Sequence, residues 1–471
     1  MVFTSPTFLF LFLPVVLAAF AITPKRFRTS LLVAASWIFY AWGEKHLVLL
    51  LALSTAINWA LALVLERAAA PHTRRLLLTM AVVVNIGALV YFKYTNFLVL
   101  NLNSLLDQVG GPAIRHAPVH LPIGISFVTF EALSYVVDVY RRHTPAARNP
   151  VHVAFYLSFF PHLIAGPILR FADIAAPLAR PTVTLERLDV GVSRFINGLG
   201  KKMLLANPLG HVADQIFALP AAELGTPAAW LGIVCYSLQI YFDFSGYSDM
   251  AIGMGHMFGF TLPENFRHPY AAESIRDFWR RWHISLSSWF RDYLFVPLGG
   301  SRGGRLKTSG NLLTVFLLCG FWHGASWTFI VWGLFHGVFL VLERTRFGAA
   351  LAAAPFVVRR AYALLVVLVG WVFFRAETFT GAMSYLAAMC GRNGPAAVLP
   401  MYYLSIEVQI ALVVAALLAA RPLQSRLIHV SPAAAGPALR APALALQAAV
   451  LALSLLYVAA GTYNPFIYFR F

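Results

Sequence analysis

Two stretches of this 471-residue chain place histidine where it could do chemistry. In NLLTVFLLCGFWHGASWTFIVWGLFHG, residues 311–337, His323 lies twelve residues past Asn311. At 1.5 Å per residue that is roughly 18 Å into an apolar helix, close to the middle of a bilayer. A polar side chain so deep is costly and is a functional candidate by default. Gly320, Gly324, Ala325 and Ser326 are small enough to let backbones approach His323 while leaving room for a narrow substrate. The alternative is a neutral histidine that hydrogen-bonds a neighbouring helix. His336, nearer the end of the segment, reads as structural.

The second stretch is SIRDFWRRWHISLSSWFRDYLFVPLGG, residues 274–300. At 100° per residue, Phe278, Trp282, Leu286, Trp289 and Tyr293 share an arc of about 80°, with Arg276, Arg280 and Arg291 opposite and His283 beside them. That is an amphipathic helix. It lies at the membrane interface with its arginines on lipid phosphates, or its Arg/His face lines a cytoplasmic vestibule that holds an anionic donor. Asp243 and Asp249 in IYFDFSGYSDM are intramembrane carboxylates that either orient a histidine or pair with arginine. Glu131 and Asp138 are weaker candidates of the same kind.

The elements that position these residues belong to a membrane protein. The chain is 59% hydrophobic and only 12% charged, with a mean hydropathy of +0.72. A soluble domain carries about a quarter charged residues. The net charge of +17 comes from short basic clusters between apolar runs, such as Arg67/Arg74/Arg75 and Arg267 through Lys307. This is the positive-inside pattern and not a nucleic-acid surface. Lys25, Arg26 and Arg28 follow the first apolar stretch, so it reads as a retained span with the N-terminus outside and not as a cleaved leader. Isolated Lys45, Lys93, Arg115, Arg375, Arg392 and Arg470 mark extracytoplasmic turns and leave the C-terminus outside as well. The three cysteines, Cys235, Cys319 and Cys390, show neither metal spacing nor a disulfide framework.

The ruler of roughly 20 apolar residues per span predicts an all-α, polytopic protein with about eleven or twelve transmembrane or re-entrant helices and no separate soluble domain. SFFPHLIAGPILRF, residues 158–171, is interrupted by Pro161, Gly166 and Pro167. It is a kinked helix or a re-entrant piece, since non-helical backbone at membrane depth must be covered by protein or water.

DFWRRWHISLSSWFRDY and GFWHGASWTFIVWGLFHG resemble the membrane-bound O-acyltransferase superfamily, in its bacterial alginate O-acetyltransferase branch. SWIFYAWGEKHL (36–47), LPIGISFVTFEALSYVVDVYR (121–141), LQIYFDFSGYSDMAIGMGHMFGF (238–260), LPENFRHPY (262–270) and the terminal FIYFRF (466–471) look like the same branch. The resemblance implies one membrane-embedded domain over 1–471, helices around a central tunnel and a catalytic core at 121–345. It makes His323 of the WHG motif catalytic, puts His283 on the same tunnel, and assigns Arg276, Arg280, Arg291, Trp279, Trp282, Trp322 and Asp243 to substrate. No metal and no bound cofactor are implied; acetyl-CoA is the expected acyl donor.

The implied activity is transfer of acetyl from the cytoplasmic side of the bacterial inner membrane to an extracytoplasmic partner acetyltransferase, which esterifies an exported polysaccharide such as alginate. Such a transfer requires a base for the attacking hydroxyl and alignment of that oxygen, the thioester carbon and the imidazole. The C-terminal segment 463–471 resembles a terminal tyrosine motif of bacterial acyltransferases and of companion peptides of teichoic acid D-alanylation, which makes Tyr468 an acyl carrier. By composition alone it is an interfacial aromatic belt. A transporter or a non-enzymatic scaffold of a polysaccharide secretion complex is the alternative function.

Overall fold

The structure, a computed structural model, describes residues 1–393, 399–420, 437–461 and 463–465. Among these residues the regular elements are helices. Four stretches are long and apolar enough to cross a membrane: Lys25–Arg67, Pro71–Gln108, Phe356–Arg375 and Arg440–Ala459. Trp327–Leu342 and Arg346–Ala353, bent by 77°, make a fifth if taken as one span. The first stretch holds two helices, Arg28–Glu44 and Val48–Arg67, separated at Lys45, whose φ of +49° no continuing helix allows. Broken helices of this kind are among the eleven or twelve transmembrane or re-entrant segments expected from the sequence. Several of those segments, such as Phe8–Ile22 and Ile406–Ala419, are short, and others are broken.

The chain divides into two compact units, residues 1–187 with 254–263, and residues 188–253 with 264–471. In the first unit, Asn58 and Asn85 exchange amide hydrogen bonds of 3.1 and 2.8 Å between two helices. Phe8, Phe12, Phe39 and Phe160 pack ring against ring, with centroids 5.3–5.9 Å apart for the pairs made by Phe12 and Phe39 with Phe8 and Phe160. The interrupted segment is neither a simple kink nor a straight span. The Pro150–Ser158 helix stops at Phe159, a single turn spans Phe160–Leu163, and residues 167–170 are non-helical and mostly buried. Side chains satisfy the freed backbone: Glu131 Oε1 accepts from Leu169 N–H at 3.1 Å, Tyr156 O–H donates to the Leu169 carbonyl at 3.0 Å, and Ser36 Oγ accepts from Phe160 N–H at 3.0 Å.

In the second unit two helix pairs approach backbone to backbone. The Leu185–Gly200 helix, from residue 188 onward, meets the long Thr226–Met257 helix through glycines seven residues apart on each. A Cβ on Gly198 would overlap the Gly246 carbonyl, and one on Gly253 would overlap the Gly191 carbonyl. The Gly304–His323 and Trp327–Leu342 helices form a hairpin in which Gly320 faces Gly333 in the same way. In lipid, helices gain nothing from merely hiding apolar surface, so small residues that permit close packing hold such pairs together.

This hairpin corrects the expected setting of His323. The first arm begins at Gly304, not Asn311, and ends at His323 itself. The histidine thus sits at the apex, nineteen residues or roughly 28 Å along the helix, and not midway through an unbroken span. Gly320 does not leave open space either, because the Phe329 carbonyl and Gly333 fill it, and the Phe329 ring covers Gly324. The 274–300 stretch also differs from expectation. It is two short helices, Ile275–Trp279 and Ile284–Phe290, parted by a turn in which His283 has a left-handed φ of +44°. Of the five residues on the apolar arc, Phe278, Trp282, Leu286 and Trp289 are buried and Tyr293 is half-buried.

Gly333→Ala places a methyl group against the Phe316 carbonyl and is expected to destabilise the protein by about 1–3 kcal/mol, the range for overpacking. Gly310→Ala, on the same hairpin with nothing within 4 Å of its new Cβ, is expected to be neutral or slightly stabilising. Thermal unfolding of the two variants in detergent checks the contrast.

Candidate active site

His323 is 6% exposed and enclosed by aromatic rings. Its imidazole stands edge to face against Trp322 and Trp332, each at 4.9 Å, and Phe374 at 5.3 Å. Ser326 closes the apex by accepting from Thr328 N–H at 3.3 Å, capping the second arm. His283 is fully buried and also meets Trp322, at 6.3 Å between centroids. The two sequence-predicted histidines therefore share one indole. The row continues past Trp332 to His336 at 5.2 Å and from there to Trp279 at 5.3 Å. His336, read as structural from its position, is fully buried within this row.

His283 is held by a residue that sequence reasoning missed. Asn265 Oδ1 lies 3.1 Å from His283 Nδ1 and also accepts from the Ser285 backbone N–H at 3.2 Å and the Ser285 hydroxyl at 2.9 Å. The Asn265 amide nitrogen donates to Ser248 Oγ at 3.3 Å. The backbones are stitched alongside: Ile284 N–H donates to the Asn265 carbonyl at 3.0 Å, and Arg267 N–H to that of Arg281 at 2.9 Å. Eighteen residues separate Asn265 from His283, and no helical or strand periodicity relates them.

Behind Asn265 a cavity of about 20 Å³, room for a single water, is lined by Arg194, Lys201, Ser245, Ser248, Asp249 and Glu264 among others. The charges here are paired. Asp249 binds Lys201 at 2.6 Å and Arg194 at 2.9 Å, and Arg194 also reaches Glu264 at 2.5 Å. Asp243 binds Lys202 at 2.9 Å. A π-helical turn at Lys201–Ala206, directly after the glycine-packed helix, aims both lysines at the long helix. Asp249 thus pairs with an arginine, one of the two roles the sequence offered, and with a lysine as well, whereas Asp243 pairs with a lysine. Glu131 instead faces His162 at 3.2 Å, both deeply buried in the first unit, and Asp138 faces His143 at 3.8 Å.

The remaining sequence-predicted residues divide by burial. Trp279, Trp282 and Trp322 are buried; Arg276, Arg280 and Arg291 are exposed. The arginines do not share one helical face, since the break at 280–283 separates Arg276 from Arg291, and Arg291 pairs with Asp292 at 2.7 Å. Among the described residues no three His, Cys, Asp or Glu side chains gather as a metal site. Tyr468 lies outside the described residues. The segment just before it is tied down: Tyr463 O–H donates to Asp214, which also pairs with Arg375 at 2.6 Å. Asn207 donates to Asn464 at 3.3 Å, and Lys202 Nζ donates to the Pro465 carbonyl.

A family model described as MBOAT, membrane-bound O-acyltransferase family, matches residues 33–384. A probable alginate O-acetylase of Azotobacter vinelandii is 47% identical over 393 residues, covering 83% of this chain and 78% of that protein. A peptidoglycan O-acetyltransferase of Helicobacter pylori is 37% identical over 84% of this chain and 80% of its own length. A teichoic acid D-alanyltransferase of Bacillus subtilis is 29% identical over 52% and 65% respectively.

Asp249→Ala leaves the buried Lys201 without its carboxylate and the half-buried Arg194 with Glu264 alone, and is expected to cost about 3–5 kcal/mol. The double variant Lys201→Met/Asp249→Leu, which removes both charges, is expected to cost less than that single change. Thermal midpoints in detergent decide this, and a double variant less stable than the single would contradict it.

Proposed function

Because this chain belongs to the membrane-bound O-acyltransferase family and is a multi-pass membrane O-acyltransferase, we propose that it takes acetyl from cytoplasmic acetyl-CoA and passes it across the bacterial inner membrane for O-acetylation of an exported polysaccharide. The observation that carries this reading is the pair of buried histidines, His323 and His283, both packed against Trp322. The names of relatives 45–47% identical favour alginate as that polysaccharide.

In this reading the phenolic oxygen of Tyr468 attacks the thioester carbon while His323 takes the phenolic proton. An ordinary phenol is too weakly acidic to react unaided near neutral pH. The carbon–sulfur bond then breaks, the departing thiolate takes the proton back from the imidazole, and Tyr468 carries acetyl as an ester to the extracytoplasmic partner transferase. His283 faces the same tunnel. The bulk of Trp279, Trp282 and Trp322 suits acetyl and not a long acyl chain, and the exposed Arg276, Arg280 and Arg291 suit the donor's phosphates, which guanidinium groups bind in bidentate fashion. Asp243 acts through Lys202, whose ammonium holds Pro465. Tyr468 follows Pro465 by three residues, a reach of at most about 11 Å. The core is 121–345, and both termini face outward.

His323→Ala is expected to lower transfer or hydrolysis of labelled acetyl from acetyl-CoA by about 100-fold or more, with normal expression and membrane insertion; undiminished turnover would remove His323 from the chemistry. Tyr468→Phe keeps the aromatic anchor and deletes only the hydroxyl. It is expected to abolish polysaccharide acetylation in cells, and wild-type acetyl content would leave the segment as an interfacial belt.

A further inference from the structure

The identity of the atom facing His283 is settled by its other neighbours. A backbone N–H can only donate, so the Asn265 side-chain atom 3.2 Å from Ser285 N must be the carbonyl oxygen, and the Ser285 hydroxyl points to the same atom at 2.9 Å. The amide nitrogen then falls where it can donate to Ser248 Oγ. An amide oxygen can only accept. The imidazole nitrogen 3.1 Å from it, Nδ1, must therefore bear a hydrogen.

Which hydrogen an imidazole carries is decided by the partner of its other nitrogen. We propose that Asn265 is the positioning residue that fixes His283 as its Nδ1–H tautomer, so that Nε2 carries the lone pair and His283 serves the transfer as a proton acceptor. This rests on the reading in which His283 takes part in acyl transfer. The setting is rigid enough for the purpose. Asn265 is 1% exposed and anchored at both ends of its amide and through its own carbonyl. His283 is pinned by its left-handed backbone and by the Phe244 ring, which it meets edge to face at 4.7 Å.

The full chain labelled with ¹⁵N-histidine in detergent tests the assignment without any change at the site. The His283 resonances, identified by their loss in His283→Asn, are expected to show a protonated Nδ1 and a pyridine-like Nε2. The opposite tautomer in the native protein overturns the proposal. Asn265→Asp retains an acceptor oxygen and is expected to keep both the tautomer and turnover with acetyl-CoA. Asn265→Leu removes the acceptor and is expected to release the tautomer preference and lower kcat about tenfold or more, with KM for acetyl-CoA within about twofold. An Asn265→Leu protein with native tautomer and native kcat also overturns it. Should Asn265→Leu fail to fold, the native and Asn265→Asp spectra still decide. Wild-type turnover in His283→Asn would sink the participation of His283, an outcome separate from the tautomer measurement.

Discussion

A helix broken where water cannot reach it releases N–H and C=O groups that must find partners at once, because an unsatisfied group there costs several kcal/mol. Several helix breaks in this chain are met by a side chain. Glu131 receives Leu169 N–H, Asn265 receives Ser285 N–H, Ser326 receives Thr328 N–H, and Glu343 receives both Ile275 and Arg276 N–H at 2.5 and 3.0 Å. The histidines sit at the same places. His162 lies in the single turn after Phe159, His283 caps the Ile284–Phe290 helix, and His323 ends the first arm of the hairpin. An imidazole in mid-helix is bound to a fixed face of a rod. At a break it can be held from several directions by groups already required to satisfy the backbone.

The glycine crossings serve the same end from the other side. By bringing two backbones into contact they make each hairpin stiff without bulky side chains at the crossing, which leaves the neighbouring positions to aromatic rings that surround the histidines. The buried lysine–aspartate pairs lie just beyond one such crossing, where Lys201 and Lys202 leave the helix through a π turn. Replacing buried ion pairs by apolar residues is often neutral or stabilising. Their presence here therefore points to positioning, and Lys202 does hold a second partner in the Pro465 carbonyl.

Much of this was legible in the sequence. The motifs identified the family, and they singled out His323 and His283, which the structure brings to one indole. What was not legible follows from nonlocal or irregular backbone. No glycine or proline announces the turn at Arg280–His283, so two short helices read as one amphipathic helix and the arginines seemed to share a face. The helix that carries His323 begins within a glycine-rich stretch that reads as a loop, so its start at Gly304 was not legible. Asn265 and the lysine partners of Asp243 and Asp249 are brought in from 18 to 48 residues away, beyond any periodicity.

The left-handed backbone at His283, with φ of +44°, also acts as a filter on inheritance. That conformation excludes β-branched and bulky residues and is entered at low cost only by glycine, asparagine, aspartate and, to a lesser degree, histidine itself. Mutational drift at this position is thereby confined to a short menu, most of whose members can accept a hydrogen bond. A lineage that lost the imidazole could replace it cheaply with an amide or a carboxylate but not with an aliphatic chain, so the turn would preserve a polar group at this spot even after the original chemistry had changed.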